Sequence, residues 1–379
     1  MRATVWAVAN ELGVVAGTPG ELLTALLSAP HRRTDRVVLP GDTPGIRELA
    51  ADLRTLGHVE VALTDRAPAP ELESPGNLSD PSSVCAADPV RVTRAYESGG
   101  DASGGDASGG DASGDLRTAW LHAGQALIRP DQTPPTRALT LLTALPENAA
   151  PHLRTALEDL SSPTPWEVVG TRPARARTLT TRDGEPASSE NPRIKALAHL
   201  PDGTELHLDE RGHLHTAGAA PVPRLVRAVA STLAAHPATA LAATDDVVVT
   251  GDRMGSVHVF SLAGVRQAAL HSGRVTALAA GPGPRVHSGG TDGTVRVWHS
   301  PHPPQDDPLV RRPHPVVALH AGPAGTAVAW ADGLVELHDA ATGEVRAFRP
   351  GTPVRAVAVP ADGTLTVATT DRLIQLRPR

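Results

Sequence analysis

The sequence predicts two domains of different class: an α/β domain in residues 1–163 and an all-β region of repeated strands in residues 164–379. Three observations support this prediction. Apolar runs alternate with amphipathic, helix-like stretches near the start of the chain. Short alternating runs recur from about residue 191 with a period of about 40 residues. A Pro/Ser-rich and then Gly/Asp/Ser-rich insertion at about residues 66–115, which we expect to be disordered, interrupts the first domain.

The first 65 residues have the pattern of a small parallel sheet with crossover helices. Thr18-Pro19-Gly20-Glu21 has the spacing of a helix capping box, and Thr43-Pro44-Gly45 opens a second helix with one apolar face. Three short apolar runs predict strands around these helices, which gives a βαβαβ pattern. The runs are residues 4–9, 36–40 and 59–63.

The turn after the second of these strands is the candidate ligand site of the first domain. Ligands of open α/β sheets bind beyond the carboxyl ends of the strands, where Asp42 and Thr43 lie. Neither Thr-Pro-Gly turn has a P-loop or a G-x-G-x-x-G fingerprint, and a proline removes one N–H donor from each. The favoured interpretation is two well-capped helices, and a nucleotide or phosphate site at Asp42 and Thr43 is the alternative.

The insertion ends in three near-identical Gly-Asp-Ala-Ser-Gly copies within residues 98–115. A segment of this composition has too little apolar surface to order itself, so we expect it to be disordered. Residues 116–161 then have the apolar spacing of three short helices. They either complete the α/β domain or form a separate small bundle. We favour the first interpretation because three short helices alone make a thin core.

The repeats of the second domain are visible in two independent landmarks. The first is a strand core of the form apolar-x-Ala-apolar, whose five copies are 37 to 44 residues apart. The second is a turn position whose five copies are 38 to 43 residues apart. Because both landmarks have the same period, we expect the alanines of the five cores to occupy equivalent places around a common axis. These are Ala196, Ala240, Ala277, Ala318 and Ala356.

The third copy, residues 271–298, is the clearest. His271 precedes its first strand, Ser288 lies on its second, Asp292-Gly293 predicts a tight hairpin turn, and Trp298 closes its third strand. This pattern resembles the repeat of the WD-repeat β-propeller family. The resemblance implies an all-β propeller of four-stranded blades, about five of them detectable. It also implies that His271, Ser288, Asp292 and Trp298 form a buried hydrogen-bonded chain.

The other copies depart from this pattern. The turn position holds Arg211 in the first copy and Met254 in the second, and neither side chain can act as the turn aspartate. We therefore expect these two blades to rely on apolar packing alone. The last copy ends after its third strand, so the resemblance implies a closing strand from residues 164–176. The competing interpretation makes residues 166–169 the last strand of the α/β sheet.

Composition limits the classes of function. The net charge of −6 provides no global basic field for nucleic acid. The histidines of the first copy, including His213 and His215, fall short of the ligand set of a zinc site. Cys85 is the only cysteine and Lys195 the only lysine. A local basic cluster lacks the aromatic side chains of single-strand binders, so we interpret it as a solvated linker: Arg172, Arg175, Arg177 and Arg182.

No apolar run reaches the roughly 20 residues of a membrane span, so a soluble, cytoplasmic protein is expected. The resemblance implies a non-catalytic scaffold or sensor that binds a protein or peptide partner without cofactor or metal. Exposed loop side chains such as Arg253, Arg274 and His299 would be its contacts. The Ala-, Pro-, Gly- and Arg-rich composition is typical of a GC-rich bacterial genome, which favours a bacterial signalling or conflict assembly. The alternative is a nucleotide- or phosphate-binding enzyme with its site in the N-terminal domain.

Overall fold

The structure is a computed structural model that describes residues 1–29, 35–41, 43–64, 76–99, 112–182, 184–218, 221–244, 246–281 and 285–379. The chain divides into two compact units. The first consists of Met1–Val168 with Arg349–Pro353, and the second of Val169–Phe348 with Val354–Arg379. No helix in these described ranges is both long enough and apolar enough to cross a bilayer.

The first unit begins with an α/β substructure around a two-stranded parallel sheet. Its elements are α1 (Arg2–Leu12), α2 (Pro19–Ser28), β1 (Asp35–Pro40), α3 (Pro44–Arg54) and β2 (Val59–Thr64). The strands pair in parallel from Asp35 opposite Val59 to Pro40 opposite Thr64. Parallel neighbours need a crossover connection, and α3 provides it. Its apolar face, which includes Leu49 and Leu53, is buried in the core of this substructure.

The first apolar run, residues 4–9, is not the predicted strand but the centre of helix α1. Val5, Val8 and Ala9 have helical spacing and are buried in the α/β core. The helix ends at Gly13, whose left-handed backbone (φ 67°) lets its N–H donate to the carbonyl of Ala9. A short, uniformly apolar run does not distinguish a strand from a buried helix, and the sheet therefore has two strands instead of three.

Five further helices form a second hydrophobic core in the first unit. They are α4 (Pro81–Ala86), α5 (Pro89–Ser98), α6 (Ala112–Leu127), α7 (Pro134–Ala144) and α8 (Pro151–Ser161). Helices α4 and α5 contradict the expectation of disorder over residues 81–98. Asp80 and Asp88 cap them, each by accepting a backbone N–H. The indole N–H of Trp120 donates to Thr93 Oγ1 over 2.9 Å, so α5 also has a buried polar link to α6.

The helices of residues 116–161 have a hydrophobic cluster of their own within the compact unit that also contains the α/β elements. Helices α4 and α5 add apolar side chains, including Val84, Val92 and Tyr96, to this cluster. Helix α6 also joins the α/β part of its unit, since Gln125 donates to the carbonyl of Val14 and accepts from the N–H of Ala16. The rest of the predicted insertion, residues 65–75 and 100–111, lies outside the described residues.

The second unit is a five-blade antiparallel β-propeller. Blades 2, 3 and 4 each consist of four consecutive strands. Blade 2 contains β9 (Ala240–Ala243), β10 (Val248–Gly251), β11 (Ser256–Ser261) and β12 (Gly264–Ala269). Blade 3 contains β13 (Val275–Ala280), β14 (Arg285–Gly290), β15 (Thr294–His299) and β16 (Val310–Arg311). Blade 4 contains β17 (Val316–Gly322), β18 (Gly325–Trp330), β19 (Val335–Asp339) and β20 (Val345–Phe348).

Blade 5 joins the end of the chain to a strand that precedes the first repeat. Its sheet contains β21 (Val354–Ala358), β22 (Leu365–Thr369), β23 (Arg372–Pro378) and β3 (Trp166–Pro173), in that order. The β-rich segment around Trp166 is thus the outermost strand of this blade and is not part of the α/β sheet. Just beyond β3, the N–H of Ala174 donates to the carbonyl of Asp371 over 2.9 Å.

Blade 1 has three strands, β6 (Ile194–His199), β7 (Glu205–Asp209) and β8 (Leu214–Ala217), followed by helix α9 (Arg224–Ala235). Val226, Val229 and Leu233 form the buried face of α9, in one cluster with residues of blades 1 and 2. This helix accounts for the longest interval between repeats. A hairpin of β4 (Thr178–Arg182) and β5 (Glu185–Ser189) precedes blade 1, and β4 contacts both β21 and β6. The hairpin therefore occupies a sixth place in the ring.

Candidate functional site

The central channel of the propeller is lined by the innermost strand of each blade and by β4 of the hairpin. Each of these six strands contributes three consecutive residues to the wall. The alanines of the five predicted strand cores are the middle residues of five of these triplets, so they face one axis, as the repeat register predicts. The triplets are residues 177–179, 195–197, 239–241, 276–278, 317–319 and 355–357.

Backbone irregularities mark the first residue of four triplets. In β6, β13, β17 and β21, the pairing with the next strand shifts immediately before the alanine. Such a bulge leaves one residue out of the ladder and redirects its side chain. The residues left out are Lys195, Thr276, Val317 and Arg355. The same local distortion thus presents one side chain per strand at the same level of the channel.

The chemistry at this level differs between the two halves of the ring. Arg355, Arg177 and Lys195 come from three neighbouring strands, β21, the start of the hairpin and β6. The opposite half has uncharged side chains at the equivalent positions: Thr239, Thr276 and Val317. All three cations are exposed to solvent. One half of the channel mouth is therefore cationic.

Two further arginines extend this positive surface. Partial desolvation by the channel walls, followed by repulsion from Arg274 and Arg253, lowers the pKa of Lys195. Desolvation and repulsion from Arg177 likewise lower the pKa of Arg355. Within the described part of the chain, none of these five cations forms an ion pair with a carboxylate. We refer to Arg177, Lys195, Arg253, Arg274 and Arg355 as the cationic mouth.

The predicted hydrogen-bonded set of blade 3 lies at the turn that connects β14 and β15. Nδ1 of His271 lies 3.0 Å from Oδ1 of Asp292, and Nε2 lies 2.9 Å from the hydroxyl of Ser288. Thr294, which the sequence pattern did not indicate, donates its hydroxyl to the same carboxylate over 2.8 Å. Burial alone would raise the pKa of Asp292, but the hydrogen bonds from His271, Thr294 and the N–H of Ser272 hold it below its usual range.

Trp298 does not complete the chain as expected. Its indole N–H donates to the carbonyl of His302 over 2.7 Å, while its ring is buried in the apolar cluster of blades 2 and 3. The Ser288 hydroxyl pairs with Nε2 of His271. The set therefore joins three of the four predicted residues directly and ties Trp298 to the following loop.

Blades 1 and 2 have a polar turn that the sequence interpretation missed. Asp252, two residues before the predicted turn position, accepts the N–H groups of Met254 and Ser256 and lies 3.0 Å from Nε2 of His258. Asp209 does the same in blade 1, with His215 at 2.9 Å. Reliance on apolar packing alone is thus wrong for both blades. The signal was present as Asp-x-x-Gly-x-x-His, displaced by two residues from the register of blade 3.

Blade 4 replaces the histidine set with a charged network. The buried carboxylate of Glu336 accepts from the indole N–H of Trp330 over 2.9 Å and from Arg312 over 3.3 Å. The guanidinium of Arg312 lies 5.6 Å from the centre of the Trp330 ring and 3.6 Å from Asp332. Ion pairs and an aromatic contact thus hold the β18–β19 turn of this blade.

The alternative site of the N-terminal domain is only partly described. Asp42 lies outside the described residues. Thr43 is the exposed N-cap residue of α3, and its side chain makes no capping hydrogen bond. Of the four arginines interpreted as a linker, Arg172 lies on β3 and Arg182 on β4, and Arg177 lines the channel. The linker interpretation is therefore wrong for Arg172, Arg177 and Arg182, whereas Arg175 is exposed in the connection between β3 and β4.

The remaining candidate residues are His299, two histidines of blade 1 and Cys85. His299 is exposed at the far end of β15 from the Asp292 turn, so it is separated along the strand from Arg274. His213 and His215 both approach Asp209. Across the described ranges, no group of three or more His, Cys, Asp or Glu side chains could hold a metal ion. Cys85 is buried in the helical core, where desolvation raises the pKa of its thiol to about 12.

No protein-family model matches the chain, and no curated protein matches it. Part of the chain is similar to the computationally designed Ika8 protein, with a TM-score of 0.39 and 18% identity over 54% of this chain and 71% of that chain. It is also similar to the designed Ika4 protein, with a TM-score of 0.33 and 25% identity over 37% of this chain and 90% of that chain. A chain of the Mitotic Checkpoint Complex has a TM-score of 0.33 and 15% identity over 51% of this chain and 81% of that chain. These scores support no inference about function.

Proposed function

We propose that this protein is a non-catalytic interaction scaffold of the WD-repeat type, and that its propeller binds a protein or peptide partner at the mouth of the central channel. β-Propellers commonly serve as protein-interaction platforms. The single observation that carries the proposal is the cationic mouth: five exposed cations on one rigid ring, without an ion-paired carboxylate in the described part of the chain.

The proposal has a physical reason: two buried or half-buried cations elsewhere in the propeller are paired with carboxylates. Arg312, which precedes β17, and Arg346 of β20 pair with carboxylates of blade 4. Such pairs are structural. Among the described residues, the cationic mouth has no comparable carboxylate partner, although like charges placed together repel each other and cost stability. A cost of this kind is offset when an external anionic group binds.

The domain boundaries, the kind of assembly and the location in the cell are proposed from the sequence. We propose an N-terminal domain of residues 1–163, a propeller domain of residues 164–379, and a role in a bacterial multi-protein signalling or conflict assembly in the cytoplasm. The enzymatic alternative keeps Asp42 and Thr43 as its candidate site; of these, Thr43 is an exposed N-cap residue whose side chain makes no capping hydrogen bond.

Quantitative affinity purification from the native host tests the proposal. The baits would be the wild type, a mouth variant (Lys195→Glu with Arg355→Glu) and a control variant (Arg266→Glu with Arg311→Glu). The control carries the same charge change on the outermost strands β12 and β16, where both arginines are exposed. We expect the mouth variant to lose its main partner at least fivefold while the control retains it. Equal recovery by all three baits would contradict the proposal.

A further inference from the structure

The cations of the channel mouth are spread over several neighbouring blades, and this arrangement restricts the ligand. The three channel-lining cations come from adjacent strands, whereas the opposite wall presents two threonines and a valine. Arg253 and Arg274 lie close enough to Lys195 to repel it. Arg253 lies in a turn of blade 2 and Arg274 directly precedes β13 of blade 3, so the positive surface extends beyond the strands that carry the three channel-lining cations. A ligand with charge distributed along its length matches this shape better than a single compact anion does.

The size of the channel excludes large ligands. The cavity lined by the six strands has a volume of about 80 Å³. On this measure one water molecule needs about 10–15 Å³, so the space admits a small group such as a carboxylate. Drug-sized and cofactor-sized ligands need cavities of roughly 300–1,000 Å³. The channel can therefore accept a small anionic side chain but not a nucleobase or a sugar ring.

The lining also disfavours single-stranded nucleic acid. Binders of this class stack bases on aromatic side chains next to a basic groove. The residues that line the channel include no aromatic side chain. They provide cationic side chains together with threonine, alanine and aliphatic side chains, such as those of Leu179, Leu197 and Leu319. Carboxylate groups on a flexible chain are compatible with this surface.

We infer that the cationic mouth binds an acidic peptide segment of the partner protein, with one Asp or Glu carboxylate inserted between Arg177, Lys195 and Arg355 and neighbouring carboxylates facing Arg253 and Arg274. This inference rests on the proposed function and names the chemistry of the partner. Arginine and lysine both form charge-assisted hydrogen bonds with carboxylates, and the two arginines can do so through two parallel bonds.

Fluorescence anisotropy of the full-length chain with a labelled 12-residue peptide rich in Asp and Glu tests this inference. The comparison peptide replaces every Asp and Glu with Asn and Gln. The mouth variant is Arg177→Gln with Lys195→Gln and Arg355→Gln, and the control variant is Arg266→Gln with Arg311→Gln. A thermal melt of each variant checks folding. If the triple variant does not fold, Arg355→Gln alone, at an exposed position, provides the comparison.

We expect the acidic peptide to bind wild type at least tenfold more tightly than the neutral peptide, with affinity falling as the salt concentration rises. The triple variant should lose at least tenfold in affinity, the single variant at least threefold, and the control less than twofold. Millimolar inorganic phosphate should not displace the peptide. Equal binding of both peptides, equal affinity of mouth and control variants, or full displacement by phosphate would overturn the inference. The peptide assay and the affinity purification can give different answers. If the acidic peptide does not bind but the partner is still lost from the mouth variant, the inference fails and the proposed function stands.

Discussion

Nδ1 of His271 lies 3.0 Å from Oδ1 of Asp292, and this contact joins the segment before β13 to the turn between β14 and β15. A carboxylate can only accept a hydrogen bond, so the ring nitrogen donates. The side chain of His271 is fully buried and that of Asp292 nearly so. The same carboxylate accepts the N–H groups of Ser272 and Thr294. One aspartate therefore holds these two chain segments together at the entrance of blade 3.

Replacing His271 with alanine should destabilise the propeller strongly. The substitution leaves a buried carboxylate without one of its partners, which costs about 3 kcal/mol in the free energy of unfolding. His215→Ala is the matched control, because His215 also contacts a turn aspartate but is exposed, and an exposed pair contributes less than about 1 kcal/mol. Urea unfolding of both variants measures the difference in the free energy of unfolding. Equal losses in the free energy of unfolding would show that the buried contact contributes no more stability than the exposed one.

A methyl group at Gly290 should damage the same turn. A Cβ at this position would lie 2.5 Å from Nδ1 of His271 and 2.7 Å from Oδ1 of Asp292, closer than real Cβ atoms come to their neighbours. We expect Gly290→Ala to lower the free energy of unfolding by about 2 kcal/mol, the usual cost of overpacking. Gly281→Ala is the control, since its Cβ would meet only the carbonyl oxygen of Arg285 at 4.0 Å. Denaturant unfolding of both variants checks this expectation, and a neutral Gly290→Ala would refute it.

The charged network of blade 4 should show strong coupling between Arg312 and Glu336. Arg312→Met leaves the buried Glu336 and Asp332 without their guanidinium, and we expect a loss of about 3 kcal/mol. Adding Glu336→Gln removes one of the uncompensated charges and should recover part of that loss. A double-mutant cycle with urea unfolding measures the coupling, which we expect to exceed about 1 kcal/mol. Simple additivity of the two substitutions would contradict the role given to this pair.

Acid should destabilise the propeller at a pH set by two buried histidines. Burial lowers the pKa of His287 to about 4, with Arg285 and His299 adding to the effect, and burial alone lowers the pKa of His320 to about 4. The unfolded chain binds these protons near pH 6.5, so it binds more protons than the folded chain between pH 6.5 and 4. The free energy of unfolding therefore falls as the pH falls through this window, by roughly 3 kcal/mol for each histidine.

The variant His287→Asn with His320→Asn tests the pH dependence. Asn offers an oxygen where Nδ1 of His320 accepts the N–H of Val359, but it does not titrate. We expect the decline in stability between pH 7 and pH 4.5, measured by urea unfolding, to become much shallower in this variant. Asp292 does not contribute to the decline between pH 7 and pH 4.5. Its pKa is lowered, so its contribution to the free energy of unfolding is lost only below pH 4. An unchanged decline would assign the acid sensitivity to other groups.

The repeat period identified the propeller because two landmarks carried it independently. The alanines of the five strand cores line the channel, which places the inner strands correctly. The hairpin β4–β5 was missed because its strands, residues 178–182 and 185–189, contain few large apolar side chains. Helix α9 was not predicted from the sequence. The helix lies inside the longest repeat interval, and the 40-residue pattern predicts only strands there.

The cationic mouth could be predicted only in part. Arg253 and Arg274 stand next to turns of the recognised repeats, so the resemblance indicated them as contacts. Lys195 and Arg355 occupy the variable position of the strand core, and bulges at that position turn their side chains toward the channel. No periodicity in the sequence reveals a bulge. Arg177 belongs to the hairpin, and its place beside Arg355 depends on the closure of the ring.

The most direct test of the interaction scaffold uses the fact that Lys195 is the only lysine. An amine-reactive reagent then labels two sites on the recombinant chain, the Lys195 ammonium group at the channel mouth and the N-terminal amine, which serves as an internal reference. Labelling rates would be measured by mass spectrometry with and without the partner recovered by affinity purification. We predict that the bound partner slows labelling of Lys195 at least fivefold and leaves the N-terminal rate unchanged. An unchanged rate at Lys195 in the saturated complex would contradict binding at the channel mouth.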